Sequence, residues 1–171
     1  MGALGLTRRS ACLLVAALCV LLGTFNQAWM ARNGYFESGQ PQEYAANRVL
    51  ASEVLNALKE RDIQSVYFFH GHHGPLLPLA TAAIALITGD ELISPTTMCL
   101  STGWLFGCLT LIGAYRLARS WVSRSYALLA CALVAGSPII VCYLRPYFQQ
   151  GPMCALVLLA WAELIRTKGF T

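Results

Sequence analysis

The sequence predicts an all-α protein, a polytopic integral membrane helix bundle of about four transmembrane helices with further helices in an outer juxtamembrane loop. Three observations carry that expectation. The 171 residues are 57% apolar and 12% charged, with a mean hydropathy of +0.56; an average soluble chain is about 25% charged and 45–50% apolar. Charges are absent from 10–31, 63–89, 92–115, 125–144 and 146–162, and about 20 mostly apolar residues span a bilayer core. The remaining charges are sorted by position. This composition excludes a disordered chain, a disulfide-stapled secreted module and a nucleic-acid binder driven by bulk charge.

Position matters more than the formal +4. Arg8 and Arg9 precede the first apolar run, Arg116, Arg119 and Arg124 separate two later runs, and Arg166 and Lys168 follow the last. Within 32–95, by contrast, Arg32, Arg48, Lys59 and Arg61 face Glu37, Glu43, Glu53, Glu60, Asp62, Asp90 and Glu91. Short loops rich in Lys and Arg stay cytoplasmic. The N-terminus, the 116–124 turn and the C-terminus are therefore expected in the cytoplasm, and 32–95 outside, in a multi-pass protein of the cell (inner) membrane. One crossing fits between an outer 32–95 and an inner 116–124.

Each element follows in order. The first crossing is 11–31, outward; a secretory signal peptide is the other reading, although Ala28-Trp29-Met30-Ala31 puts bulky residues where cleavage needs small ones. In the outer loop, Ala46, Leu50, Val54, Ala57 and Leu58 recur at helical spacing while Arg48, Ser52, Asn56 and Lys59 take the other side. An amphipathic helix over 41–62 follows, begun by Pro41. It either lies in the membrane interface or packs on the rest of the protein. After the β-branched and aromatic stretch 63–69, the apolar 75–88 is too short to span comfortably and suits a re-entrant or interfacial segment. Three crossings complete the chain: 96–115 inward, 125–144 outward and 152–165 inward. The whole reads as a single membrane module. All seven cysteines fall in apolar runs with no CxxC pair, as expected of free thiols acting as small apolar side chains. Glu163 is expected to pair with Arg166 or Lys168 by helical proximity.

Candidate chemistry lies at the outer face, where ionisable groups beside a membrane-embedded cleft are costly to keep. Glu37 and Glu43 follow the first crossing; burial can raise a carboxyl toward neutral pKa and fit it for general-base work. His70, His72 and His73 could hydrogen-bond a phosphate or a sugar, or cap a loop before Gly74-Pro75. No metal ligand set is assigned, and a divalent ion at these imidazoles stays open. Arg145 is a base on the acidic side, against the orientation rule, and its guanidinium could grip a lipid phosphate; Gln149 lies in the same loop.

The order of these features resembles the N-terminal part of the polyprenyl-phosphate-dependent glycosyltransferases of the C fold, the protein-mannosyltransferase-like and aminoarabinose-transferase-like enzymes. The resemblance covers about residues 10–166. It rests on Glu43-Tyr44-Ala45-Ala46, on His72-His73-Gly74-Pro75-Leu76-Leu77-Pro78-Leu79, on Tyr115-Arg116-Leu117-Ala118-Arg119 and on Ser137-Pro138. Where the family carries an acidic pair before a Tyr, this chain has Gln40 and Pro41, and Glu37 or Glu43 stands in. Where it carries a second acid, this chain has Gln149 and Gln150. Family enzymes are longer, and this chain matches only their beginning. The resemblance implies inverting transfer of a sugar from a polyprenyl phosphate to an acceptor lipid, glycan or protein. Glu37 or Glu43 would be the base, and Arg145 and the histidines would hold phosphate. Partners would be the bilayer, donor and acceptor, with no nucleic acid. The alternative is a small non-catalytic membrane protein, an assembly partner or a metal or solute carrier.

Overall fold

The computed structural model describes residues 7–32, 42–62, 64–65, 76–89, 95–137 and 150–167. Among them the regular structure is entirely helical, in six helices: α1 Arg8–Arg32, α2 Gln42–Lys59, α3 Leu76–Thr88, α4 Pro95–Arg119, α5 Arg124–Gly136 and α6 Gln150–Arg166. Local chemistry accounts for several ends. Thr7 caps α1, its hydroxyl accepting the Ser10 N–H at 3.1 Å, so that a first-turn amide is not left unpaired. Pro95 opens α4, where a missing N–H costs nothing. At the end of α2, Asp62 N–H reaches Ala57 O at 2.8 Å and Arg61 N–H reaches Leu58 O at 3.3 Å. This is a Schellman closure, with Arg61 at φ 59° in the left-handed position usually given to glycine. α3 ends more cheaply: Gly89 takes φ 80° and donates to Ala85 O at 3.0 Å.

The helices alternate in direction around α4. Arg8 and Arg119 lie together, Val15 shares a core with Leu111, and the Trp104 indole N–H donates to Cys19 O at 2.9 Å. Numbers rise in α1 as they fall in α4, so the two are antiparallel. Gly23 makes this seam possible, because a Cβ there would lie 2.3 Å from Trp104 Nε1. The turn through Ser120–Ser123 reverses the chain into α5, whose Cys131 thiol meets Leu111 O at 3.5 Å. α6 instead runs parallel to α4, since Phe106 clusters with Ala155, a Gly113 Cβ would meet Leu158 at 2.8 Å, and Arg116 pairs with Glu163. α3 is antiparallel to α4: Leu77 clusters with Phe106, and the buried hydroxyls of Thr81 and Thr102 hydrogen-bond at 3.0 Å. Two small cores result, one between α1, α4 and α5 and one between α3, α4 and α6, both built on α4.

The expected segments map onto these helices with two differences. The amphipathic helix ends at Lys59, and its Ala51 and Val54 are buried while Ser52, Asn56 and Lys59 face outward. α2 packs on α3, which favours the packed form of the two left open. The expected crossing 125–144 is helical over its first part only. α5 stops at Gly136, and Ser137 turns to an extended ψ of 121°, as the residue before a proline is driven to do; residues 138–149 lie outside the described residues. Arg8–Phe25 within α1 has the length and mean hydropathy, 1.6, of a membrane span, and among the described residues it is the one such stretch. α3 and α5 are apolar but 13 residues long.

Candidate functional site

The expected site residues fall where little is described. Glu37, His70, His72, His73, Arg145 and Gln149 lie outside the described residues, as does Lys168. Glu43 belongs to the first turn of α2 by its backbone, and its side chain lies outside what is described. The described helices next to some of these positions in sequence nonetheless pack together. α2 packs on α3, and α3 on the first half of α4. The amphipathic helix, the proline-leucine helix and the beginning of α4 thus form one end of the bundle. At the end of α2, the Ser65 hydroxyl and its N–H, the latter at 3.1 Å, both donate to the Asp62 carboxylate. Those hydrogen bonds hold the Asp62 carboxyl below its usual range. The same residue therefore closes one helix and caps the following turn.

The opposite end carries the most concentrated chemistry among the described residues. There a cleft of about 620 Å³ opens between α1 and α4. Its wall is apolar, from Val15, Ala16 and Ile112, with Cys12, Cys19 and Tyr115 beside them. Its rim is Arg8, Arg116, Arg119 and Arg124. The fold explains the gathering: antiparallel packing brings the start of α1 to the finish of α4, and the tight turn returns Arg124 to the same level. Arg119 donates to Val122 O and so ties down that turn. Glu163, the one acid in the sequence outside 37–91, pairs with Arg116 across helices and with Arg166 one turn on. The Arg166 partner is the expected one; Arg116 is the addition.

Among the described residues no carboxylate or imidazole lines the cleft, so none of those lining it is suited to moving protons near neutral pH. It can hold an anion that also has an apolar part. Sequence reasoning treated these arginines as markers of sidedness and missed their convergence. The signal was present, because bases preceding one apolar run and ending the next must meet if the two runs are antiparallel. Among the described residues no three of His, Cys, Asp and Glu converge as metal ligands, and Cys12, Cys19, Cys108, Cys131 and Cys154 are free thiols. No family model, curated protein or solved structure matches this chain.

Proposed function

We propose that the chain is a membrane-embedded helical module of a glycosyltransferase that moves a sugar from a polyprenyl phosphate to an acceptor at the outer face of the cell membrane. The membrane part of the reading is supported by what the helices leave uncovered. Leu13 and Leu21 on α1, Leu129 and Leu133 on α5, and Met153 and Val157 on α6 are all exposed. Such broad apolar surface suits lipid far better than water. The antiparallel order of α1, α4 and α5, with α6 parallel to α4, is also the order that four alternating crossings require. Within that frame α3 runs alongside α4, the geometry of a re-entrant segment.

One observation carries the catalytic part: α2, α3 and the beginning of α4 form a joined structure at the end opposite the arginines. This end would lie outside, and the chain's seven other acids all belong to the sequence segment 37–91, which contains α2 and α3. Glu37 or Glu43 would deprotonate the acceptor hydroxyl, which attacks the anomeric carbon as the bond to the phosphate oxygen breaks. Arg145, Gln149 and the histidines would stabilise the departing polyprenyl phosphate. The test is a reconstituted sugar-transfer assay with Glu37→Gln, Glu43→Gln and Arg145→Gln made singly. Loss of the base is expected to lower kcat about 10²- to 10⁴-fold. Unchanged turnover in all three would remove the catalytic assignment.

A further inference from the structure

The arginine cleft lies at the end of the bundle that sugar transfer does not use. Its two parts have different chemistry: Val15, Ala16 and Ile112 form an apolar wall, and Arg8, Arg116, Arg119 and Arg124 form the rim. Four guanidiniums line the cleft, and the sequence offers one acidic side chain outside 37–91, Glu163, which pairs with Arg116 and Arg166. The rim therefore carries surplus positive charge whatever hydrogen bonds the individual arginines make. Like charges this close repel one another, and the repulsion grows where apolar surroundings lower the dielectric. An anion at the rim would relieve it.

A free phosphate would satisfy the rim but leave the wall wetted. An amphiphile satisfies both. The volume, about 620 Å³, lies within the usual range of small-molecule sites. Basic pockets between helices on the cytoplasmic side are a recognised chemistry for acidic lipid headgroups. We propose that this cleft binds an anionic phospholipid of the cytoplasmic leaflet, its phosphate at the arginine rim and the upper part of an acyl chain along the α1–α4 wall. The inference rests on the membrane reading above, with the arginine end cytoplasmic, and not on the catalytic assignment.

The experiment begins with membranes expressing the full chain and washed in alkaline carbonate. A chain that leaves with the supernatant overturns the membrane reading, and the lipid site with it. A chain that stays is purified in detergent, mixed with equal phosphatidylglycerol and phosphatidylcholine, and examined by native mass spectrometry for retained lipid. Phosphatidylglycerol is expected to be retained about tenfold over phosphatidylcholine, falling to about twofold in Arg8→Gln or Arg119→Gln and to no preference when both arginines are replaced. Arg9→Gln, which does not line the cleft, is expected to keep the full preference. Equal retention of the two lipids by the unaltered protein overturns the proposal while leaving the membrane reading intact, and that comparison stands even if a variant fails to fold. Preference persisting in the folded Arg8→Gln/Arg119→Gln protein also overturns it, as does displacement of the lipid by millimolar inorganic phosphate.

Discussion

Arg61 holds a backbone conformation that L-residues adopt at a cost of about 1–2 kcal/mol, and it does so because the Schellman closure of α2 needs a left-handed residue there. Glycine would meet that need without the penalty, at the expense of a more flexible unfolded chain. Arg61→Gly is therefore expected to stabilise the protein by about 0.5–1 kcal/mol, read as a raised melting temperature. The neighbouring Asp62 gives a titration test. Its folded pKa lies below the ordinary 3.8 because Ser65 donates to the carboxylate. A depressed carboxyl contributes stability that is present above the unfolded pKa and is lost as pH falls through the folded one. Ser65→Ala removes the hydroxyl donor, so the Asp62 carboxyl should titrate closer to 3.8 in a carbon-13 NMR titration. An unmoved titration would deny the Ser65 hydroxyl that role.

At the level of elements, the α4–α6 seam is the sharpest constraint. A Cβ on Gly113 would meet Leu158 Cβ at 2.8 Å and the Leu159 backbone N at 3.2 Å. The obstacle includes main chain, so no rotamer change clears it and the helices must part. Gly113→Leu should cost about 1–3 kcal/mol, seen as a lower melting temperature, while Gly136→Ala, with nothing within 4 Å, should be neutral or slightly stabilising. The contrast separates close packing from helix propensity. It also marks what the sequence could and could not reveal. Charge-free runs located α1, α3, α4 and α6 closely, and the apolar stripe of α2 was visible in its spacing. The early stop of α5 was foreshadowed by Ser137-Pro138. That Gly23 makes room for Trp104, or that Arg116 reaches Glu163, depends on which helices become neighbours, and periodicity within one helix does not encode that. The expected catalytic and phosphate-binding residues are legible only as residue types, lying outside the described residues but for the Glu43 backbone, while the arginine cleft exists only once α1 and α4 are placed side by side.

For the molecule as a whole, sidedness is the property most open to measurement. Cysteines introduced at Ser38, in the acidic loop, and at Ser123, exposed in the α4–α5 turn, should behave oppositely toward an impermeant thiol reagent. In intact cells Ser38→Cys should react above the background of the native thiols, and Ser123→Cys only after lysis. The reverse pattern would invert the orientation drawn from the arginines. A further consequence follows from α3. Its first turn lies level with Phe106, near the midpoint of α4, and the Leu76 amide is at a position with no helical acceptor behind it. Set in a bilayer, that donor would sit deep in hydrocarbon, where an unmatched N–H costs several kcal/mol. In that setting the bundle would have to keep a carbonyl or solvent at that depth, which would make the start of α3 a wet spot in an otherwise oily wall.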